Sequence, residues 1–233
     1  PSSIKDIDNL LAKTFKTAKK FAPLPKEKRY TLQTTPQNEV IIAPYNAKNI
    51  YMVQFHNENK EWNPNDAAKI SLFNEYFGGG MNAIVFQEMR EARALAYTAS
   101  ASYHMPNRLG DKDYFNTFII TQNDKMMDCI AQFNELLNNM PVRLANFDLA
   151  KQNLLKSLAS TRTTKFSILS AYMNAQKMGL NCTLSEKIYN DLPSVTFDDI
   201  INFEKTNIGH KTFKYLILGD EKELDMKDSN LKG

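Results

Sequence analysis

The residues best suited to chemistry lie between Phe77 and Tyr103, in the run FGGGMNAIVFQEMREARALAYTASASY. Within it an arginine, Arg90, precedes a tyrosine, Tyr97, by seven residues. A guanidinium fork and a phenol are both hydrogen-bond donors, and donors placed at a developing oxyanion lower a reaction barrier. On spacing alone, an ordinary exposed helical arginine and an ordinary strand tyrosine are the favoured interpretation. Arg90 and Tyr97 are nevertheless candidate site residues, with Arg93 as a second arginine to consider.

Three consecutive glycines, Gly78, Gly79 and Gly80, open the same run. A glycine-rich turn before a helix can bind phosphate. A P-loop would need Lys-Ser/Thr after the glycines, and a dinucleotide site would need GxGxxG after a strand. Here a helical pattern precedes the glycines, so we expect a structural turn in which Gly78 caps a helix and positive φ angles are used. Asn82 is then the expected N-cap of the next helix.

A catalytic zinc site needs three protein ligands, and a helical HxxEH motif supplies two of them together with a glutamate base. This motif is absent from the sequence. The three histidines, His56, His104 and His210, are far apart, and none has a second histidine three or four residues away. A zinc site assembled from all three in space is the alternative to three unrelated histidines. We expect no metal ligands in this domain.

Period-two alternation and β-branched or aromatic residues predict five strands, at 39–44, 49–56, 97–103, 114–121 and 213–218. Helical spacing predicts helices at 67–77, from 82 to about 94, at 126–140, from 147 to about 179, at 184–190 and at 197–206. A break near 160–164 in the longest of these is left open. Strand pairs alternating with helix pairs indicate an α+β fold, with an antiparallel-rich mixed sheet of about five to six strands and helices mainly on one face.

The expected domain organisation has three parts. Residues 1–30 form a linker or outlying helix, residues 31–220 form the main domain, and residues 221–233 form a charged tail. The hydrophobic content of 42% and charged content of 24% are ordinary for a globular protein. A net charge of +3, spread along the chain, argues against nucleic acid binding, and no apolar run reaches the roughly 18 residues of a membrane span.

The order of the motif, a GGG turn, an amphipathic helix and then R…LAY, resembles the C-terminal-type domain of the M16 zinc metallopeptidases. That family includes pitrilysin, insulin-degrading enzyme and mitochondrial processing peptidase. The resemblance covers roughly residues 39–220, and the part from Phe77 to Tyr97 is its specific portion. Ala96 stands where many relatives have glycine, which keeps a small residue there. Because HxxEH is missing, the chain resembles the half that holds substrate without holding metal.

The resemblance implies an M16 metallopeptidase-like (LuxS-like) fold, a bacterial source and a role in proteolysis. It implies that Arg90 and Tyr97 reach the active site of a partner domain, and that Gly78, Gly79 and Gly80 lie near the substrate cleft. The implied partners are a zinc-bearing M16 domain, in the same chain or another subunit, and an unfolded peptide bound as an added β-strand. Zinc is expected in that partner domain only, and family analogy favours the periplasm or cell envelope over the cytoplasm.

Two other functions remain open at this point. One is a structural or interaction domain of the same fold with no catalytic partner, as in the core subunits of respiratory complexes. The other is an unrelated α+β ligand-binding domain that carries the motif by chance. An HxxEH domain in the same chain or an adjacent gene would favour the peptidase.

Overall fold

The structure is a computed structural model that describes residues 3–15, 22–23, 25–26, 28, 30–162 and 164–220. The chain divides into two compact units, Pro1–Thr31 and Leu32–Gly233. The predicted charged tail at 221–233 lies outside the described residues. In the first unit, helix α1 (Ile4–Thr14) begins at a capping box formed by Ser3 and Asp6, and none of its residues is buried.

The second unit is built on one five-stranded sheet with strand order β1-β5-β2-β4-β3. β1 pairs with β5 in parallel, and all the other pairs are antiparallel. The predicted α+β fold with a mixed, antiparallel-rich sheet is therefore confirmed. The strands are β1 (Glu39–Pro44), β2 (Asn49–His56), β3 (Thr98–His104), β4 (Tyr114–Gln122) and β5 (Lys214–Gly219).

Seven further helices and several shorter helical turns complete this unit in the described part of the chain. The predicted helix from 147 to about 179 is in fact two helices separated by seven residues, at the cluster of serines and threonines where a break was considered. The helices are α2 (Ala67–Phe73), α3 (Ile84–Phe86), α4 (Met126–Asn138), α5 (Leu144–Ser160), α6 (Ile168–Lys177), α7 (Leu184–Asp191) and α8 (Phe197–Asn207).

Burial alternates along the strands, which separates the two faces of the sheet. On β2, Ile50, Met52, Gln54 and His56 are buried, while the residues between them are partly or fully exposed. The buried face packs on helices, and the Phe73 ring contacts the rings of both Phe77 and Phe203. None of the described helices is long and apolar enough to cross a membrane.

Candidate functional site

The segment that joins α2 to β3 contains two π-helical stretches. α2 continues as the stretch Asn74–Gly78, and α3 continues as Gln87–Ala92. A π-helical stretch widens the helix locally and is often found at functional sites. Arg90 lies in the second stretch, four residues after Phe86 at the end of α3, so its position depends on this local geometry.

Close packing, and not the predicted positive φ angle, explains the first glycine of the triplet. Gly78, Gly79 and Gly80 do not have positive φ angles; among the described glycines those are Gly110 and Gly179. Gly78 is needed because a Cβ there would lie 2.0 Å from the carbonyl oxygen of Ala101.

The two following glycines differ from each other in the space that a Cβ would have. A Cβ on Gly79 would lie 2.9 Å from the Asn74 carbonyl oxygen, whereas a Cβ on Gly80 would meet nothing within 4 Å. The prediction of a positive-φ turn was wrong because close approach to β3, a tertiary contact, sets the requirement. Asn82 as N-cap was also wrong, since Ala83 occupies that position without a side-chain cap.

A tight turn from Arg93 to Ala96 connects the second π-helical stretch to β3. Its chain reversal places Ala94 at φ 49°, and the Met89 carbonyl accepts from the backbone N–H groups of both Leu95 and Ala96, at 2.9 and 3.3 Å. The Leu95 carbonyl in turn accepts from the Thr121 hydroxyl at 2.6 Å and from the Cys129 thiol at 3.1 Å. These bonds fix the turn and thereby fix the positions of the residues on either side.

Arg90 and Tyr97 line the same open pocket, of about 230 Å³, at this turn. The Arg90 side chain is 51% exposed, and its guanidinium lies 5.0 Å from the centre of the Phe86 ring. Its nearest carboxylate is the exposed Glu91, with 3.8 Å between Nε and Oε1. Tyr97 is 58% exposed, and its hydroxyl bonds to no other described residue. Both side chains therefore present donors to solvent.

Arg93 forms an ion pair outside this pocket and does not line it. Its Nε lies 3.8 Å from Oε2 of Glu88, whose other carboxylate oxygen bonds to Arg143. The Glu88 side chain is only 15% exposed, so these ion pairs are partly shielded from water. Of the two arginines considered from the sequence, only Arg90 is placed to contact a ligand in the pocket.

Two further residues, Gln122 and Lys125, line the pocket, and sequence reasoning did not find them. Lys125 donates to the carbonyl of Ala94 at 3.0 Å, so it adds a second cation beside Arg90. They reach the pocket because β3 and β4 are antiparallel, which places the end of β4 beside the start of β3. The three glycines are not among the residues that line it.

A second polar cluster lies at the other end of β3, and it is buried. Tyr103 and Asp113 are 5% and 4% exposed and bond through their side chains. Burial raises the pKa of the Asp113 carboxyl, with the Tyr103 hydroxyl bond opposing it. Burial together with the Asp113 charge raises the pKa of Tyr103. We name Tyr103, Asp113, His56 and Asn57 the closed cluster.

His56 is held in the closed cluster by its Nδ1 atom. That atom lies 2.7 Å from the Thr212 carbonyl, which only accepts, so Nδ1 carries a proton and donates it there. Burial lowers the pKa of His56, and the Thr212 bond and Glu58 oppose that shift. Nε2 of His56 and Nδ2 of Asn57 are buried without a hydrogen-bond partner among the described residues, and the Glu58 carboxylate lies 3.7 Å from that Nε2. They line a cavity of about 10 Å³, the size of one water molecule.

The histidines do not assemble a metal site in the part of the chain that is described. His104 bonds to Asn116 through Nε2 and stacks on Tyr114, with 4.5 Å between ring centres. His210 is exposed, at φ 57°. Across the described ranges, no group of three His, Cys, Asp or Glu residues is positioned to hold a metal ion. The described residues therefore offer no three-ligand site of the kind a catalytic zinc needs.

Comparison with known proteins agrees with the fold of this domain. A family model described as the peptidase M16 inactive domain matches residues 2–154, which is more than half of the chain. No curated protein matches the sequence. Several solved bacterial structures share the fold, at identities that support similarity of fold alone.

The M16 inactive domain from Pseudomonas fluorescens superposes with a TM-score of 0.66 at 16% identity, covering 82% of this chain and 46% of that one. A protease from Helicobacter pylori gives 0.65 at 12% identity, covering 93% and 53%. The periplasmic protease PqqL from Escherichia coli gives 0.64 at 15% identity, covering 95% and 24%. The chain thus spans about half the length of the first two relatives and a quarter of the third. By its motif, its fold and the family match, the chain belongs to the inactive domains of the M16 peptidase family.

Proposed function

We propose that this domain is the zinc-free half of an M16-type zinc endopeptidase. In this role it completes the substrate cleft, and its Arg90 and Tyr97 side chains contact the bound peptide. The observation that carries the proposal is that both side chains line one pocket and offer their donors to solvent. The relatives that are about twice as long leave room for a second, zinc-bearing domain in the complete protein.

The chemistry assigned to each residue follows from its donor geometry. Arg90 offers a planar fork of N–H groups that can hold a peptide carbonyl, and Tyr97 offers a single hydroxyl. Lys125 adds positive charge beside them and favours the negative oxygen that develops during peptide hydrolysis. The zinc of the partner domain would supply the activated water. The domain itself binds and orients the peptide.

The turn between Arg90 and Tyr97 explains why the donors need little rearrangement. The Met89 carbonyl accepts two hydrogen bonds across the turn, and the Leu95 carbonyl accepts one from β4 and one from α4, so the two side chains project from a fixed backbone. Preorganised donors stabilise charge without a cost of reorganisation when the reaction occurs. The pocket is open because the surface that would close it belongs to the proposed partner.

The expected addition of the peptide as a β-strand is restricted by what covers β3. The Asn74 side chain accepts from the Tyr103 backbone N–H at 2.8 Å and donates to the Tyr103 carbonyl at 2.9 Å. Gly78 packs against Ala101 on the same edge. A peptide therefore cannot pair along the Ala101–Tyr103 end of β3, and its contacts with this domain are assigned to the Tyr97 end.

The decisive experiment measures peptide cleavage by the complete enzyme, with the HxxEH domain supplied from the same chain or from an adjacent gene. Arg90→Ala and Tyr97→Phe should each lower kcat about 10²–10³-fold, the usual loss for one oxyanion donor. Both side chains are half exposed, so neither variant should unfold the domain. The isolated domain should bind no stoichiometric zinc and cleave no peptide.

Two matched controls are available in the same domain. Arg93 is 49% exposed and lies three residues from Arg90, and Tyr45 is 55% exposed on the loop after β1. Arg93→Ala and Tyr45→Phe should leave kcat unchanged. Full activity in both Arg90→Ala and Tyr97→Phe would contradict the proposal and favour a non-catalytic interaction domain.

A further inference from the structure

The two edges of the sheet differ in how their free backbone groups are used. On β3, the edge is covered by Asn74 and Gly78, as described above. On the opposite edge, β1 pairs with β5 on one side, and no described strand pairs with its other side. A six-residue edge strand with unpaired N–H and C=O groups is a template for pairing with another chain.

The register of β1 shows which of its backbone groups point outward. The Glu39 N–H donates to Phe213, and the Tyr45 N–H donates to Gly219, both toward β5. The backbone groups of the odd-numbered residues of β1 therefore point toward β5. The backbone groups of Val40, Ile42 and Pro44 point toward the open side. Proline lacks an N–H, and it is tolerated on an edge where that group would face solvent. The outward donors and acceptors are thus the N–H and C=O groups of Val40 and Ile42, with the Pro44 carbonyl.

We propose that this edge pairs with the same edge of a second copy of the chain, antiparallel, across a twofold axis at Ile41. In that register Val40 of one copy exchanges two hydrogen bonds with Ile42 of the other, and the symmetric pair repeats the exchange. The outward groups of these residues are all used, and Pro44 ends the ladder. A twofold interface requires a self-complementary patch, and this spacing of outward groups provides it.

The side chains also suit this pairing. Ile41 is 41% exposed and would face its own copy as a non-hydrogen-bonded pair, with Cα atoms about 4.5 Å apart. Glu39, the one charged residue of β1, would lie opposite Ala43, and its carboxylate is already 2.9 Å from the Lys214 ammonium. No like charges are therefore brought together. β1 contains no lysine, although exposed edge strands often carry a lysine whose charge disfavours pairing with another strand.

A second copy fits this edge better than an unfolded peptide does. Only Val40 and Ile42 offer complete outward donor and acceptor pairs, so few hydrogen bonds are gained. An unfolded peptide must be ordered to make them, which costs conformational entropy. A second β1 is already extended and held by β5, so the same bonds form between two ordered strands.

The test is analytical ultracentrifugation of the 233-residue chain over a range of concentrations. The wild type should form a dimer whose fraction rises with concentration. Ile41→Lys places two ammonium groups directly opposite each other and should weaken association at least tenfold. The matched control is Leu216→Lys, because Leu216 pairs with Ile41 in the β1–β5 register and is also 41% exposed, but lies on the inner strand. This control should dimerise as the wild type does.

A charge swap tests the twofold register itself. Ile41→Glu alone should be as monomeric as Ile41→Lys, and an equimolar mixture of the two should form a heterodimer, since opposite charges then face each other. A monomeric wild type, or equal loss of dimer in Ile41→Lys and Leu216→Lys, would overturn the proposal. A monomer that instead binds an unstructured peptide through this edge, with binding lost in Ile41→Lys, would also overturn it. None of these outcomes bears on cleavage through Arg90 and Tyr97.

Discussion

The pocket of Arg90 and Tyr97 and the closed cluster lie at opposite ends of the same strand, and they differ in their exposure to water. At the first end, the donors are about half exposed and line an open pocket of about 230 Å³. At the second, Tyr103 and Asp113 are almost fully buried around a space for one water. Strongly shifted pKa values, which often mark active sites, occur in the closed cluster.

If this domain supplies half of a site, as proposed, shifted pKa values within it are a poor guide to the residues that act there. Burial within the domain shifts the pKa values of Tyr103, Asp113 and His56, and these residues bond to one another or to the backbone. A residue that acts in a partner's site must instead stay exposed until the partner covers it. Under the proposed function, the open end contacts the substrate and the closed end stabilises the fold.

The largest expected effect comes from the contact that holds β3 against the preceding helix. Gly78→Ala puts a Cβ 2.0 Å from the Ala101 carbonyl oxygen, and backbone must move to relieve the clash. We expect a loss of at least about 3 kcal/mol in the free energy of unfolding, the upper range for overpacking. Chemical denaturation measures it. Gly80→Ala, with nothing within 4 Å, should not destabilise, and equal effects in the two variants would refute this explanation.

The second expected effect is a pH dependence of stability from Glu204 on α8. Burial raises the pKa of Glu204 from 4.5 to about 7, and its Oε1 has no partner among the described residues. Because the folded state binds this proton more tightly than the unfolded state does, the contribution of Glu204 to stability is fully present below pH 4.5 and is lost as pH rises through 7. The shift corresponds to about 3 kcal/mol.

Glu204→Gln tests this dependence by urea denaturation at pH 5 and pH 8. The variant lacks the titrating carboxyl. Its free energy of unfolding, relative to that of the wild type, should therefore be higher at pH 8 than at pH 5. Glu61→Gln is a matched control, because the Glu61 side chain is 79% exposed. If the difference between Glu204→Gln and wild type is the same at both pH values, Glu204 does not titrate as stated.

The same substitution at the two ends of β3 separates function from stability. Tyr103→Phe leaves the buried Asp113 without its hydroxyl partner and should cost about 1–3 kcal/mol, with kcat of the complete enzyme unchanged. Tyr97→Phe should change stability by less than about 0.5 kcal/mol while lowering kcat. Denaturation and cleavage assays on both variants measure the contrast. A loss of kcat in folded Tyr103→Phe would show that the closed cluster also serves the reaction.

The smallest expected effect concerns His56 in acid. Burial lowers its pKa below the ordinary value of 6.5, so the unfolded state binds the proton more readily. The contribution of neutral His56 to stability is therefore fully present above pH 6.5 and is lost as pH falls through the folded pKa. NMR titration of the His56 ring should give a pKa below 6.5, and His56→Gln should reduce the loss of stability in acid. A ring that titrates above 6.5 would contradict the burial argument.

Much of the fold follows from local sequence patterns. β1 and β2 occupy the predicted ranges 39–44 and 49–56, because alternation and β-branched residues act within each strand. β3, β4 and β5 begin or end within one residue of the predictions. The GGG-to-LAY motif is also local, and it was sufficient to indicate the family that the comparison then showed.

Residues that depend on distant neighbours could not be identified in this way. Lys125 enters the Arg90 pocket only because β4 returns beside β3. Asp113 lies in a loop and looks solvent-facing in sequence, yet the fold buries it against Tyr103. The strand order, with β1 on an open edge, likewise follows from pairing between residues more than 170 positions apart.

The sequence by itself indicated the family and the strand and helix pattern, since each depends on residue types at fixed short spacings, and the family resemblance made Arg90 and Tyr97 candidates. Only the tertiary structure decided that Gly78 serves close approach, that Arg90 lines the open pocket while Arg93 does not, and that β1 is an edge strand of the described sheet. The physical reason is that burial, steric clearance and ion pairing are properties of surfaces brought together by folding, and short-range patterns do not encode them.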